Sequence, residues 1–364
     1  MRILFHLGHP AHFNLFKNVI KSLKENGHQT YILIKKKDIL EELLKESGFV
    51  YHNILPQGRK DDKISIAFGQ LKQNIKLLSF CLKQKPDILI GTSVAISHVG
   101  KLLSIPSINL NEDDADVVPL YAKLAYPWAT HILAPHICRM GKWINKTIFY
   151  QGYHELAYLH PNNFAPKIEI AKKYISLEKP YFILRFAKLG AHHDTGIKGI
   201  SDEIAAKLVK QLTPHGQVYI TSERKLNADL EPYRIQINPI DIHHVMAFAK
   251  IYIGDSQTMA AESGVLGVPF IRFNDFVGRI SYLEELENKY QLGFGIKTNE
   301  PDKLIETIKE LLEQKDFKEV YIERRDKMLS EKINYADFLS WFIENYPSSV
   351  DTMKANPDYQ FNFK

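Results

Sequence analysis

The sequence has little cysteine, no long apolar run and no large excess of one charge. Cys81 and Cys138 are the only cysteines in 364 residues, and neither has a partner at a metal-binding spacing. A disulfide framework is therefore not expected. A reducing, cytoplasmic location is expected instead. No apolar run approaches the roughly 20 residues that a membrane-spanning helix needs. The N-terminal stretch MRILFHLGHP begins directly with a predicted strand, so no signal peptide is expected.

The net charge is compatible with several kinds of partner and identifies none of them. The formal net charge is +5 over 364 residues, and lysines on a solvated surface explain it most simply. The charge also suits an anionic substrate or contact with the inner face of a membrane; this contact and the oligomeric state stay open. Basic residues are scattered and no recognition motif is present, so no nucleic-acid partner is predicted. No His, Asp and Glu spacing specifies a metal site, and neither a metal nor another cofactor is predicted.

What the sequence does contain is an alternation of strands and helices in each half. Its 45% hydrophobic and 24% charged residues are typical of a globular protein, and 364 residues suit two domains. The alternation predicts an α/β fold with two doubly wound, Rossmann-like parallel sheets. The predicted domains are residues 1–150 and 168–335, joined by a linker at 151–167. A helix at 336–345, expected to pack back on the first domain, and a loose polar tail at 346–364 follow.

One stretch of the second half, KIYIGDSQTMAAESGVLGVPFIRF at 250–273, combines a strand, a tight turn, a helix of small residues and a second strand. The turn Gly254–Thr258 is predicted at the carboxyl end of a strand and the amino end of a helix. Unpaired N–H groups and the helix dipole attract anions such as phosphate at such a place. Two simpler interpretations stay open: Ser256 only caps the helix, and Glu262, one turn further on, only pairs with a surface lysine.

Other strand-end loops of the second half supply basic, hydroxyl and imidazole groups to the same edge of the predicted sheet. They are Arg185, Lys188, His192, His193, Asp194, Ser222 and Arg224. Hydroxyls, backbone amides and basic side chains beside one carboxylate suit a nucleotide diphosphate. The phosphates are expected on the donors and the ribose diol on Glu262.

In the first half, the loop Gly8–His12 follows the first predicted strand and places two histidines at its carboxyl end. Histidine titrates near neutral pH, so His9 or His12 is the preferred candidate, ahead of Asp113, for the general base that deprotonates an acceptor hydroxyl. The simpler interpretation of either residue is a loop imidazole that hydrogen-bonds to the backbone. Thr92 and Ser93 follow the fourth predicted strand and are candidates for the same edge.

An acidic run follows the fifth predicted strand. Glu112 and Asp113 begin this run, and carboxylates so close together repel one another unless a basic group faces them. Both residues are therefore candidate catalytic groups. The alternative is that Asp113 or Asp114 caps the helix that follows.

These residues resemble a known family. GDSQTMAAESGVLGVP, preceded by DIHHVMAFAKIYIGD, looks like the nucleotide-sugar-binding signature of GT-B-fold proteins, which include glycosyltransferases and the UDP-N-acetylglucosamine 2-epimerases. The segments GHPAHFNLFKNVIKSLKENGH and GYHELAYLHP resemble a prokaryotic family of uncharacterised predicted glycosyltransferases, over nearly the whole chain. The resemblance implies a GT-B-like fold, in which two Rossmann-like domains face an interdomain cleft.

The resemblance also implies roles for individual residues. Ser256, Gln257 and Thr258 are expected at the diphosphate and Glu262 at the ribose. The full set expected at the nucleotide sugar is Arg185, Ser222, Arg224, Gly254, Asp255, Ser256, Gln257, Thr258 and Glu262. Gly8, Thr92 and Ser93 are expected on the acceptor side.

Two departures from the epimerases bear on the reaction. The epimerases carry an acidic residue where this chain has Thr92, and their phosphate turn is Asp-Ser-Gly-Gly where this chain has Gln257 and Thr258 after Asp-Ser. Glu112 still matches the place of one epimerase carboxylate. The prediction is a metal-independent glycosyltransferase, which moves a sugar from a nucleotide donor, UDP above others, to a glycan or lipid-linked acceptor in surface polysaccharide synthesis. The alternatives are a UDP-N-acetylglucosamine 2-epimerase-like enzyme and a non-catalytic nucleotide-sugar-binding protein.

Overall fold

The computed structural model describes residues 1–56, 63–187, 198–315 and 317–364, and side chains of 63–67 are outside the description. Lys188, His192, His193 and Asp194, which the sequence offers as strand-end groups, lie outside the described residues. The chain divides into two compact units. Met1–Asn163 and Lys332–Lys364 form the first, and Phe164–Glu331 forms the second. The predicted linker thus belongs to the first unit as far as Asn163.

The first unit is built on a seven-stranded parallel sheet in the order β3-β2-β1-β4-β5-β6-β7. Its central strands read as continuous apolar runs, because helices cover both faces of a parallel sheet. The strands are β1 (Arg2–Leu7), β2 (Gln29–Lys35), β3 (His52–Leu55), β4 (Ile88–Gly91), β5 (Ser107–Leu110), β6 (His131–Pro135) and β7 (Thr147–Tyr150).

Helices connect these strands in chain order. They are α1 (Pro10–Glu25), α2 (Leu40–Glu46), α3 (Lys63–Gln84), α4 (Val94–Leu103), α5 (Pro119–Ala125) and α6 (Leu156–Leu159). The buried side of α1 carries Phe13, Phe16, Ile20 and Leu23, the apolar positions whose spacing predicts this helix. No helix in the described part of the chain is long and apolar enough to cross a bilayer.

The second unit has a five-stranded parallel sheet in the order β12-β11-β10-β8-β9. Its strands are β8 (Tyr181–Phe186), β9 (Gln217–Ser222), β10 (Ile251–Gly254), β11 (Phe270–Phe273) and β12 (Gly293–Ile296). Its helices are α7 (Ile168–Ala171), α8 (Asp202–Leu212), α9 (Ile242–Met246), α10 (Gln257–Val265), α11 (Ser281–Glu284), α12 (Pro301–Glu313) and α13 (Phe317–Glu331), with a π-helical turn at Glu285–Lys289.

The C-terminal segment returns to the first unit. Helix α14 (Tyr335–Glu344) contacts α1 and α6. Residues 346–364, expected as a loose tail, instead form α15 (Ser348–Ala355) and a 3₁₀ helix (Pro357–Phe363). Aromatic contacts hold this segment, since Trp341 lies 4.8 Å from Tyr359 and 5.3 Å from Phe363 between ring centroids. The sequence prediction was wrong here because it weighed the polar composition of residues 346–364 and not the few aromatic residues that anchor them.

The prediction of two Rossmann-like parallel sheets is confirmed. Two strands, β7 and β12, have no counterpart in the prediction. The strand β7 follows a 3₁₀ helix at Gly141–Lys146 without a turn signal between them. The strand β12 is GFGI, and two glycines in four residues favour a turn over a strand.

Gly91 of β4 tests whether the close packing of β4 against β1 requires a glycine at this position. Its φ is +155°, and a Cβ placed on it would lie 2.5 Å from the carbonyl oxygen of His6. We expect Gly91→Ala to lower the free energy of unfolding by about 3 kcal/mol, because backbone must move to relieve the overlap. Urea denaturation measures this loss. Gly27→Ala is the control, since Gly27 also has a positive φ (+81°) but nothing within 4 Å, and should cost only about 1 kcal/mol. Equal losses would contradict the packing explanation.

Candidate functional site

Each sheet has one place where the strand order reverses. In the first unit this place lies between β1 and β4, and in the second between β8 and β10. At such a reversal the connections leave in opposite directions and open a crevice beyond the carboxyl ends of the two strands. The predicted site residues are grouped around these two crevices, which we describe one unit at a time.

In the first unit, the structure brings together Gly8, His12 and Thr92. The backbone N–H of Gly8 donates to Nδ1 of His12 over 3.0 Å, and Nε2 of His12 lies 2.6 Å from Oγ1 of Thr92. Lys35, at the end of β2, packs beside Gly8. A Cβ placed on Gly8 would lie 3.0 Å from Cε of Lys35. Burial, followed by the charges of His9 and Lys35, holds the pKa of His12 well below its usual range.

Both loop histidines accept a backbone N–H at Nδ1. His9 caps α1 by accepting from Ala11 over 3.2 Å, and His12 accepts from Gly8. A neutral imidazole that accepts at Nδ1 carries its proton at Nε2, so we assign that tautomer to both. In this arrangement each ring offers a hydrogen-bond donor at Nε2 rather than a basic nitrogen. Ser93 likewise serves a helix, because its Oγ accepts from Ala95 at the start of α4.

The acidic run after β5 faces a histidine that follows β7. Glu112 Oε2 accepts the backbone N–H of His154 over 3.1 Å, and Oε1 lies 3.4 Å from Nδ1 of the same residue. This pair gives the opposite tautomer from His12: a proton at Nδ1 and a lone pair at Nε2. Among the described residues Nε2 of His154 is buried without a hydrogen-bond partner.

Asp113, next to that pair, has an unusual acidity. Burial, then the negative charge of Glu112, raises the pKa of Asp113 to about 7, against the opposing effect of His154. Neither Asp113 nor Asp114 caps α5, whose N-cap residue is Val118 and has no side-chain capping hydrogen bond. Asp114 is fully buried and accepts the backbone N–H of Arg139 over 2.6 Å. Asp113 is therefore a carboxylate whose protonation changes near neutral pH.

His154 is the residue of this cluster that sequence reasoning missed. It lies in GYHELAYLHP, interpreted as part of the linker, and residues 152–160 are all buried. Aromatic and apolar residues around a histidine in a supposed linker are the signal that was available. The partner, Glu112, is 42 residues away in the chain, so their contact has no local pattern.

In the second unit, Asp255 fixes the backbone beside the crevice. Its Oδ1 accepts the N–H of Ala187 over 2.6 Å and its Oδ2 the N–H of Ile200 over 3.2 Å. Burial raises the pKa of Asp255 to about 6, while these bonds oppose the rise. Both oxygens are engaged by the protein, so Asp255 holds the end of β8 near the start of α8 and is not itself a donor to an anion.

The amino end of α10 carries the expected anion site. Ser256 caps the helix, its Oγ accepting the N–H of Met259 over 3.4 Å, and Gln257 and Thr258 form the half-buried first turn. The first N–H groups of a helix have no partners within it, and the dipole favours negative charge there. Arg185 stands beside Gly254 in the register of β8 and β10, so this arginine lies on the strand next to the turn that precedes α10.

The remaining second-unit residues are held by protein partners. The side chain of Ser222 accepts the N–H of Arg224 over 3.1 Å. Arg224 pairs with Asp202 and donates to the carbonyl of Ile200 over 2.8 Å. Arg185 pairs with Glu223.

Glu262 lies within the second unit and not at its surface. The residue is 4% exposed, and its Oε1 lies 2.9 Å from Nε2 of His243, itself 3% exposed. Glu262 is therefore buried and not at the surface, and within the described residues it has His243 as an ion-pair partner. His243 lies in α9, in the DIHHVMAFAK segment that precedes the strand–turn–helix stretch.

Within the described ranges, no group of three or more His, Cys, Asp or Glu side chains is arranged to hold a metal ion.

Comparison with known proteins gives a family and a fold. The sequence model of the family described as "Protein of unknown function (DUF354)" matches residues 1–336. No curated protein matches the sequence. A putative UDP-N-acetylglucosamine 2-epimerase from Listeria monocytogenes is similar in structure, with 13% identity, 96% of each chain covered and a TM-score of 0.68.

Two further solved structures show the range of activities on this fold. The UDP-GlcNAc 2-epimerase from Neisseria meningitidis, bound to UDP-GlcNAc, has 16% identity, a TM-score of 0.63 and coverage of 98% of this chain and 100% of its own. The spinosyn rhamnosyltransferase SpnG, complexed with spinosyn aglycone, has 15% identity, a TM-score of 0.62 and coverage of 95% and 100%. At these identities the likeness shows the fold, two Rossmann-like domains of GT-B type.

The raised pKa of Asp113 predicts a pH-dependent stability. The folded-state pKa of Asp113 is about 7, above the value in the unfolded chain. The free energy of unfolding therefore falls as the pH rises from about 4 to 7, because the carboxyl group ionises less readily in the native state. We expect Asp113→Asn to be more stable than the wild type by about 1 to 3 kcal/mol at pH 8 and equally stable at pH 4. Urea denaturation across pH measures the difference. Asp116→Asn is the control, since this side chain is 66% exposed. A pH-independent difference for Asp113→Asn would contradict the assignment.

Proposed function

The chain belongs to the DUF354 family, and from this premise and the GT-B fold we propose that it is a glycosyltransferase. It moves a sugar from a nucleotide donor, UDP-linked, to a glycan or lipid-linked acceptor. The family and fold relationship predicted from the residues is confirmed. The fold relatives include a UDP-GlcNAc 2-epimerase bound to UDP-GlcNAc and a rhamnosyltransferase, so enzymes of both sugar conversion and sugar transfer use this fold.

One observation carries the proposal: the first turn of α10, whose N–H groups have no partners within the helix, lies where the strand order of the second unit reverses, and Arg185 is in register with the preceding Gly254. Close packing requires a glycine at position 254, because a Cβ there would lie 2.5 Å from Oη of Tyr252 and 2.9 Å from the Cβ of Arg185. The N–H groups at the start of α10 are what this turn offers to a ligand. Diphosphate oxygens suit both the dipole and the guanidinium.

The ribose is assigned to Glu262, with a role for its partner. A carboxylate accepts two hydroxyl hydrogen bonds from a ribose diol, and its orientation decides whether it can do so. Nε2 of His243 lies 2.9 Å from Oε1 of Glu262, close enough to bias that orientation although the contact lacks hydrogen-bond geometry. His243 is thus proposed as the residue that positions Glu262.

On the acceptor side, the proposed base is Asp113. General-base efficiency is greatest when the pKa of the base lies near the working pH, and the pKa of Asp113 is about 7. His9 and His12 already accept backbone N–H groups at Nδ1, so a donor role suits them better. Glu112 and His154 hold each other beside Asp113 and are proposed to position it.

The proposed reaction needs no metal or other cofactor. Asp113 takes the proton of the acceptor hydroxyl, whose oxygen then bonds to the anomeric carbon of the donor sugar. The bond from that carbon to the diphosphate oxygen breaks, and the electron pair stays on the diphosphate. The amino end of α10 and Arg185 stabilise this developing negative charge.

Nucleotide binding tests the second-unit site. We expect UDP to bind and Glu262→Ala to weaken it at least tenfold, because the ribose loses its acceptor. Isothermal titration calorimetry measures both. Glu262→Gln keeps the size of the buried side chain and shows whether the charge matters, and Glu310→Ala, on the exposed side of α12, is the control. Failure of UDP and other nucleoside diphosphates to bind would overturn the site.

Asp113 also makes a kinetic prediction. We expect Asp113→Asn to lower kcat by about 10² to 10⁴, the range that general-base catalysis contributes. The wild-type rate should rise with pH through about 7 as Asp113 loses its proton, and this step should vanish in the variant. Radiolabelled transfer to acceptor measures both, with Asp116→Asn as the control. An unchanged pH profile in Asp113→Asn would remove it as the base.

Epimerisation of a UDP-sugar is the second candidate. The observation that favours it is Glu112, a carboxylate at the end of β5 with its own histidine partner, since epimerisation needs paired acid and base groups. Incubation of the protein with UDP-N-acetylglucosamine alone, followed by NMR, separates the two. A new sugar without acceptor indicates an epimerase.

A further inference from the structure

Three consecutive helices of the first unit, α3, α4 and α5, lie side by side. Helix α3 contacts α4, and α4 contacts α5. Together they cover one face of the sheet, with their inner sides packed on it. Cys81 and Leu77 of α3 and Ala95 and Ile96 of α4 belong to one buried cluster. The outer sides of these helices form a continuous surface.

The outer side of α3 is apolar where a surface helix is normally polar. Its exposed large apolar residues are Phe68 (69% exposed), Leu71 (54%), Ile75 (56%) and Leu82 (59%). Their spacing of three, four and seven places them in one stripe along the helix. The opposite side of the helix is the buried one, so α3 presents apolar side chains both to the core and to the outside.

The same kind of residue continues across the neighbouring helices. Leu102 of α4 is 68% exposed, and Leu120, Leu124 and Trp128, in α5 and just beyond it, are 50%, 42% and 47% exposed. Of the sixteen exposed large apolar residues in the described part of the chain, eight lie in this region. Clustering of this kind marks an interaction surface rather than scattered exposure.

Lysines accompany these apolar residues without any acidic residue. Lys72, Lys76 and Lys83 are exposed on α3, Lys101 on α4 and Lys123 on α5. The segments 63–84, 94–103 and 119–125 contain no Asp or Glu. We name the surface made by these eight apolar residues and five lysines the basic apolar face.

We propose that the basic apolar face is a docking surface for an anionic phospholipid bilayer. Aliphatic and Trp side chains can enter the boundary between head groups and acyl chains, while lysines extend along them and place their ammonium groups among lipid phosphates. Attraction of each lysine to an anionic leaflet adds to the apolar burial. The apolar side chains of this surface therefore suit the acyl chains of a bilayer, and its lysines suit the anionic head groups.

Charge also argues against a second copy of the chain as the occupant. In a two-fold dimer the same face meets itself, so lysines of one copy would meet lysines of the other without a carboxylate to balance them. The proposal stands on this face alone and needs neither UDP binding nor catalysis, so the two proposals can fail separately. If both hold, the acceptor is lipid-linked.

Vesicle flotation with the full chain tests the face. We expect binding to vesicles of phosphatidylcholine with phosphatidylglycerol and little binding to phosphatidylcholine alone. Ile75→Asp should weaken binding at least tenfold, and Lys72→Glu/Lys76→Glu by at least about 30-fold, since the loss of each lysine near an anionic surface contributes about a fivefold change and each added carboxylate is repelled. The matched controls lie in the second unit, where Ile168 is 42% exposed and Lys210 and Lys309 are exposed. Ile168→Asp and Lys210→Glu/Lys309→Glu should bind as the wild type does.

The outcomes decide the proposal in either direction. Absence of binding to anionic vesicles overturns it, as does equal binding to both lipid compositions. Equal weakening by the control variants also overturns it, because the effect would then be general. A dimer in sedimentation analysis that Ile75→Asp dissociates would assign the face to self-association instead. Thermal unfolding curves confirm that the variants are folded, and UDP titration of Ile75→Asp should be unchanged.

Discussion

The constraint on which both units depend is that a parallel sheet has no free face. Each connection between parallel strands must cross over the sheet, and its helix covers one side. Only the two ends of the strands remain open, and helix amino ends point toward the carboxyl end. The chain therefore places its polar and titratable groups there, from Gly8 and Thr92 in the first unit to Arg185 and Gly254 in the second. The rest of each sheet is mostly apolar because it is enclosed, and its buried exceptions, such as Asn109 of β5 and Arg272 of β11, have hydrogen-bond partners.

At these strand ends, backbone N–H groups decide what the side chains can do. Asp255 accepts two backbone N–H groups and so holds two loops in place. Its position in the turn alone would suggest contact with phosphate. His12 and His154 are both imidazoles, yet one accepts an N–H at Nδ1 and the other faces a carboxylate there. The same residue type thus presents a proton in one place and a lone pair in the other.

Much of the fold was predictable because it follows from local periodicity. The bounds of β1, β2 and β5 agree with the apolar runs, and Ser256 caps α10 as its residue type suggests. The strand β12 was not predictable, because its glycines are there for close packing: a Cβ on Gly293 would lie 2.5 Å from Phe270. The contacts of the candidate site join residues that are distant in the chain, such as Glu112 with His154 and Glu262 with His243. Sequence spacing proposed the two carboxylates, Glu112 and Glu262, but neither of their histidine partners.

The return of the C-terminal segment makes the first unit discontinuous in the chain. Asn26, just after α1, donates to Glu344 over 2.6 Å, and Gln360 accepts the N–H of Gln151 over 2.6 Å. The second unit, by contrast, is one unbroken segment, Phe164–Glu331. During synthesis the second unit can therefore be complete while the first still lacks α14, although the first begins to emerge earlier. Residues 332–364, which follow the second unit in the chain, complete the unit that residues 1–163 begin.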